Sequence, residues 1–441
     1  MLRPDTPAAG RAPRQRRHPD ARRPAWSLPV DTPSRLEIDL TAIERNVATM
    51  RRVCSASQGR SVGVCAVLKA DAYGLGAPRV AKRLEIAAVE MVAVFTPDQA
   101  RSLVESAIRC PILVLMPVRS FNRTDTLHRA LVEGRLHLSV HDEQQLQSLI
   151  SHTDRFGLRL PVHVEVNMGM NRGGARPDEA ERLLKRIHAH PRLILAGLYT
   201  HFPSADTDNS ATRELAIAFE SWRRSVADSM TDACIVHMAN TFGAFRSHEL
   251  HADMVRIGLA LIGYAQEEIA DPDACELVEH AGSLLPAVRW SSQIVHVSQV
   301  SKGETVGYGG AWKAKRRTRL GLVPVGYADG YPLTLSDRGR VGVKIGAEGG
   351  AQETAFAPVV GRVSMDQITI DITDLPEDAV GVGTGVELIG LDREAPNHLP
   401  TLARTAGTIS HDFLCGLSSR VQRAYRSTDS QTTAAVDYSR G

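Results

Sequence analysis

AVLKADAYGLG, residues 66–76, passes from an apolar run through a lysine into a glycine-flanked turn, and that order decides the fold. The run predicts a strand, Val64 to Lys69, that delivers the lysine at its end. Outward from it, from about residue 35 to 270, short apolar and β-branched runs alternate with helical patterns, the rhythm of a parallel α/β structure. Seven further strands are predicted: Met91 to Phe95, Ile112 to Met116, Leu136 to Val140, Val162 to Asn167, Leu193 to Tyr199, Cys234 to Met238 and Met254 to Arg256. Eight strands are the number that closes a (β/α)8 TIM-like barrel. Between them, PDEAERLLKRIHAH (177–190) places Ala180, Leu183, Leu184 and Ile187 on one helical face behind an acidic first turn, as an outer-ring helix does.

Barrel chemistry gathers at the carboxyl ends of the strands. Those ends carry Lys69, Asn167 with Arg172 beyond it, His201, Asn240 and Arg256. In VHVEVN (162–167), Val162, Val164 and Val166 alternate with His163, Glu165 and Asn167, so one face packs on helices and the other enters the barrel. A carboxylate there is costly unless paired, and a cationic partner for Glu165 is expected.

After about residue 275 the pattern becomes helix-poor and glycine-punctuated: RWSSQIVHVSQV, RLGLVPVGYADG, GRVGVKIG, APVVGRVSMDQITIDI and GVELIG. This predicts a mostly antiparallel β domain. The division is an Arg/Pro-rich disordered extension (1–34), the barrel (35–274, its first strand joining the β domain), the β domain (275–427) and a flexible tail (428–441), with a mobile hairpin loop at AEGGAQET (347–354). With 441 residues, 43% of them hydrophobic, the chain can bury cores for two domains. Its net charge of +2 comes from the extension, where seven Arg face three Asp, so the remainder is slightly acidic and no nucleic-acid partner is expected. The extension lacks an apolar run able to act as a signal core or membrane span. Six cysteines without a CxxC or CxxH pair suggest neither zinc nor a disulfide framework, and favour a reducing, cytoplasmic setting.

Chemically, a lysine at a strand end can form a Schiff base with an aldehyde cofactor, and the turn carrying Tyr73 can meet a phosphate. As a class such lysines are more often ion-pair partners. AVLKADAYGLG resembles the lysine signature of the alanine racemase family, pyridoxal phosphate (PLP) enzymes. Further segments match in the family's order: EIDLTAIERN (37–46), MGMNRGG (168–174), THF (200–202), HMANT (237–241), VRIGLALIG (255–263), VGYGG (306–310), VPVGYADGYP (323–332) and VGRVSMDQ (360–367). The resemblance implies a racemase interconverting L- and D-alanine with two bases, supplying D-alanine for peptidoglycan. Lys69 would hold the cofactor and act on one face, with Tyr308 of a partner subunit on the other, so that a homodimer shares its sites. Tyr73, Thr241, and the backbone of Gly258 and Leu259 would hold the phosphate, Arg256 would face the pyridine nitrogen, and His201 would orient its neighbours. Arg172 would take the substrate carboxylate, helped by the backbone of Met365 from the partner. Asn240 in the cofactor site, and Glu165, Tyr327 and Asp366, are given supporting places.

The chain departs from the family pattern in several positions. Glu165 stands seven residues before Arg172, where many relatives have a lysine that becomes carbamylated; the expectation is that Glu165 orients Arg172 directly. In TISHDFLCGLSSRVQRAY (408–425), His411 replaces a phosphate-contacting tyrosine and Gln422 a proline. Gly173 and Gly174 follow Arg172 where relatives commonly carry a larger first residue, and Ser364 replaces a frequent cysteine, which suggests a wider pocket and keeps serine or a broader set of amino acids as alternative substrates. A PLP decarboxylase of similar architecture would require an acidic group at the pyridine nitrogen and a Gly-rich phosphate loop. A non-catalytic PLP-binding protein would resemble the barrel alone.

Overall fold

The eight predicted strands all form in the computed structural model, which describes residues 34–55, 61–270, 275–346 and 353–427. The extension before residue 34, most of the 347–354 loop and the tail after 427 lie outside the described residues. Strand β1 (Arg35–Asp39) precedes the barrel strands β2 (Gly63–Val67), β3 (Met91–Val94), β4 (Ile112–Val114), β5 (Leu136–Val140), β6 (Leu160–Glu165), β7 (Leu193–Tyr199), β8 (Ile235–His237) and β9 (Met254–Ile257). They make one parallel sheet in the order β8-β7-β6-β5-β4-β3-β2-β9. The gap between β8 and β9 is bridged by Asp253 N–H to the Val236 carbonyl (2.9 Å), Val236 N–H to Asp253 Oδ2 (2.8 Å) and Arg256 N–H to the Ala239 carbonyl (2.9 Å). The barrel therefore closes through a side chain and two backbone bonds rather than a regular ladder.

The outer ring follows the sequence pattern. Helix Pro177–Ala189 buries Ala180, Leu183, Leu184 and Ile187, the four residues of its predicted face. Every residue of β6 is buried, valines outward and His163 and Glu165 inward. The lumen is divided: Cys65, Met91, Ala93, Leu113 and Met254 form a small apolar cluster of their own on β2, β3, β4 and β9. The opposite wall carries His137, Ser139, His163, Glu165, Tyr199 and His237, joined by hydrogen bonds.

The later strands are β10 (Val288–Gln293), β11 (His296–Val300), β12 (Thr305–Val306), β13 (Trp312–Lys313), β14 (Thr318–Val323), β15 (Arg340–Ile345), β16 (Glu353–Pro358), β17 (Ile368–Asp371), β18 (Gly385–Ile389) and β19 (Gln422–Arg426). They form a six-stranded sheet, β16-β15-β18-β10-β1-β19, a three-stranded sheet, β11-β14-β17, and the β12-β13 hairpin. All pairs are antiparallel except β1 with β19. Gln422, where the family pattern has proline, opens β19 opposite Arg35 in regular strand register. Two helices, Leu399–Ala406 and Ser410–Cys415, occur in this region read as helix-poor. Among the described residues no helix is long and apolar enough to cross a membrane.

Candidate active site

β2 ends at Val67, two residues short of its predicted limit, because the chain turns sharply at Lys69. Ala70, Asp71, Ala72 and Tyr73 all have left-handed φ and ψ, with φ from 52° to 61°. For residues with a Cβ this costs about 1–2 kcal/mol each, so the turn must be held from outside. Asp71 Oδ1 accepts from Ala77 N–H at 2.7 Å. Arg423 Nε donates to the Gly74 carbonyl at 3.1 Å and the Tyr425 hydroxyl to the Leu75 carbonyl at 3.0 Å. The last described strand thus clamps the turn that carries Lys69 and Tyr73.

Burial, and then the charge of Arg172, hold the Lys69 amine below the ordinary lysine range. His201 is pushed down to about 3 by burial, Arg256, Arg172 and Lys69. These four groups, taken from βα loops and strand ends, therefore share one electrostatic site at the carboxyl mouth. Arg172 is exposed and makes no hydrogen bond or ion pair with the described residues, which leaves its guanidinium for an external anion.

Arg256 is the most constrained residue of the site. Its Nη1 donates to the His237 carbonyl (2.9 Å), and its Nη2 to the carbonyls of Thr200 (2.8 Å) and Met238 (3.2 Å). The same guanidinium reaches His201 Nδ1 at 3.2 Å and lies over the Tyr199 ring at 5.1 Å. Burial lowers its pKa from the ordinary arginine value, and three carbonyls and two imidazoles together hold its orientation.

At the neighbouring turn, Thr241 Oγ1 accepts from the N–H of Gly258 at 3.1 Å. The Gly258 N–H is thus engaged within the protein, whereas that of Leu259 carries no hydrogen bond among the described residues. A Cβ on Gly258 would fall 2.1 Å from the Tyr73 hydroxyl oxygen, so only glycine lets the tyrosine approach this backbone. Asn240 caps the helix Thr241–Arg246, its Oδ1 accepting from Gly243 N–H at 2.9 Å. His411 packs edge-on to Tyr73, ring centroids 5.6 Å apart. Its buried Nδ1 has no hydrogen-bond partner among the described residues.

The expected pairing of Glu165 with Arg172 is not what the structure holds. The carboxylate accepts from the Tyr199 hydroxyl at 3.0 Å and lies 3.4 Å from His141 Nε2. His141 Nδ1 accepts from Gly174 N–H at 3.0 Å, so its proton sits on Nε2 and the ring is a neutral donor. The physical reason is strand direction: β6 aims Glu165 into the lumen, while Arg172 lies out on the loop. Arg256 feels Glu165 only through space. The glycines after Arg172 do not open a pocket either, since a Cβ on Gly173 would meet His141 Nδ1 at 3.1 Å.

Tyr308 and Met365 take part in none of these contacts. Tyr308 is 70% exposed in the turn between β12 and β13, and Met365 is 52% exposed. Met365 leaves its backbone N–H without a hydrogen bond among the described residues. Tyr327, half exposed, donates its N–H to the Ser364 carbonyl at 3.0 Å, and Asp366 pairs with Arg420 at 2.7 Å. Sequence reasoning missed Cys415, whose thiol and the Lys69 amine influence each other, and Tyr199, which touches both Glu165 and Arg256. The alternation around Tyr199 is broken by Gly197, so the sequence carried little signal for its inward position.

Residues 38–266 match the alanine racemase N-terminal domain and residues 287–425 the alanine racemase C-terminal domain. This chain belongs to the alanine racemase family. The alanine racemase of Halothermothrix orenii is 32% identical over 403 residues, covering 90% of this chain and 98% of that protein. That of Cutibacterium acnes is 33% identical over 396 residues, covering 89% and 97%. Among solved structures, the alanine racemase from Streptomyces lavendulae superposes with a TM-score of 0.77 at 26% identity, over 90% of this chain and 98% of that one. The Bartonella henselae alanine racemase, which carries covalently bound pyridoxal phosphate, gives 0.71 at 25% identity over 90% of this chain and all of its own.

Proposed function

We propose that this family member is a PLP-dependent racemase that interconverts L- and D-alanine, acting as a cytoplasmic homodimer with shared sites and providing D-alanine for peptidoglycan. The observation that carries the reading is the meeting of Lys69, Arg172, His201 and Arg256 at one barrel mouth. The residues present fit the cofactor. A lysine amine lowered below its usual range is available as a nucleophile. The glycine cradle at Gly258, the Tyr73 hydroxyl, Thr241, Leu259 N–H and the unpartnered His411 Nδ1 are suited to a phosphate. Bound PLP supplies an electron sink that loosens the substrate α-proton.

In this reading Arg172 binds the substrate carboxylate as a free guanidinium, with the Met365 N–H of the partner as second donor. Arg256 presents a fixed cation to the cofactor's ring nitrogen and keeps it unprotonated, and His201, held neutral beside it, orients the cluster. Lys69 takes or returns a proton on one face. Tyr308 of the partner subunit does so on the other, because its own chain leaves it exposed. Asn240 holds the turn that bears Thr241, and Tyr327 and Asp366 shape the surface beside Met365.

Purified protein with PLP is to be given L-alanine, L-serine, L-lysine and L-arginine, and the D-products separated by chiral chromatography. D-alanine in excess, lost in Tyr308→Phe, is the expected result. Absence of any D-product from PLP-loaded enzyme overturns the reading.

A further inference from the structure

The lumen of the barrel holds a chain of imidazoles that the chemistry above does not use. Arg256 Nη1 lies 2.9 Å from His237 Nδ1, His237 Nε2 2.9 Å from His163 Nδ1, and His163 Nε2 2.9 Å from His137 Nδ1. The line therefore runs from β9 through β8 and β6 to β5, from the mouth of the barrel toward its floor.

The Arg256 end of this line fixes its polarity. A guanidinium can only donate. His237 Nδ1 must then be bare and its proton must sit on Nε2; the same follows for His163 and for His137. The three rings are assigned as neutral Nε2–H tautomers by the network itself. A second proton on any ring would turn an acceptor into a donor and break one link. Burial acts in the same direction, pushing His137 down to about 4 and holding His163 and His237 well below the ordinary histidine range. The packing is specific to the line. The Tyr199 ring stacks on His237 at 4.8 Å and 11°, and a Cβ on Gly197 would fall 2.1 Å from His163 Nδ1.

We propose that this one-directional wire is a positioning device for the reaction: His163 and His137 hold His237 in the single tautomer that accepts from Arg256, and so fix the guanidinium edge turned toward the cofactor ring nitrogen. The proposal rests on the placement of Arg256 at that nitrogen. Its consequence is reaction fidelity, since a loosened Arg256 lets the ring nitrogen gain a proton and favours loss of the cofactor's aldehyde by transamination over return of the α-proton.

The first arm is NMR of the full chain, without cofactor, with histidine ring nitrogens labelled. All three rings should report bare Nδ1 and protonated Nε2 at neutral pH, and an Nδ1–H or doubly protonated His237 overturns the wire. The second arm compares His163→Leu, which cuts the line, with His163→Gln, whose carboxamide can accept from His237 and donate to His137. In the PLP-loaded enzyme, His163→Leu should raise the ratio of pyridoxamine phosphate formed to alanine racemised by about tenfold, the worth of one hydrogen bond to a charged group, while His163→Gln stays near wild type. An unchanged ratio in His163→Leu, or an equal rise in both, overturns the proposal. Should His163→Leu fail to fold, Gly197→Ala displaces the same ring and takes its place. Failure of wild type to racemise would sink the functional reading instead, leaving the ring tautomers still readable.

Discussion

At the residue scale, the site works by setting charges against burial. Lys69 is lowered by burial first and Arg172 second. Arg172→Ala therefore raises the pH at which the free Lys69 amine loses its proton in the cofactor-free chain, read by NMR with lysine labelled; an unmoved midpoint would show that Arg172 does not act on the amine. The buried histidines set the acid limit of the fold. His137 and His201 titrate at about 4 and about 3 in the folded chain, against about 6.5 when unfolded. Between those values the unfolded chain binds more protons, so stability is full above about pH 6.5 and falls with pH, by about 1.4 kcal/mol per unit for each group. The denaturation midpoint should drop between about pH 7.5 and pH 5, and His137→Gln should shallow the drop; equal slopes would refute the assignment. The place of Lys69 at a strand end was legible because a strand running into a lysine and a glycine turn is a local pattern, and its role came from the resemblance of that pattern to the family signature. The partners of Glu165 were not, because a carboxylate says that it needs donors without saying which strand brings them.

At the scale of elements, strands and helices followed their periodicity closely. The face of helix Pro177–Ala189 and the alternation of β6 stand as the sequence predicts. The left-handed turn Ala70–Tyr73 does not. In Ala-Asp-Ala-Tyr only the aspartate readily takes positive φ, and the turn persists because Arg423 and Tyr425 hold the carbonyls of Gly74 and Leu75 that follow it. Its counterpart is the bare backbone of Gly258. Gly258→Ala should push the Tyr73 hydroxyl aside and weaken PLP binding by about tenfold or more, the loss of a hydrogen bond to a charged phosphate. Equilibrium dialysis reads this, and adding Tyr73→Phe to Gly258→Ala should not weaken binding much further. Independent, additive losses would mean that the two residues do not meet.

For the whole molecule, the question is where the second base resides. In one chain Lys69 lies in the barrel mouth, and Tyr308 is exposed on the β12-β13 turn. If each site takes Tyr308 from the partner, mixing Lys69→Ala with Tyr308→Phe chains under conditions that exchange subunits restores one intact site in each mixed dimer, roughly a quarter of wild-type activity. If each chain supplies both bases to its own site, the mixture stays inactive. The sequence by itself determined the barrel strands, the outer helices, the change to a β-rich second half and the position of Lys69 at a strand end, because each is written in neighbouring residues. Only the tertiary structure decided the donors of Glu165, the clamp on the left-handed turn and the imidazole line beneath Arg256. Those depend on which side chains face one another across a closed barrel, and closure is set by strand register and by contacts between residues as far apart as Leu75 and Tyr425.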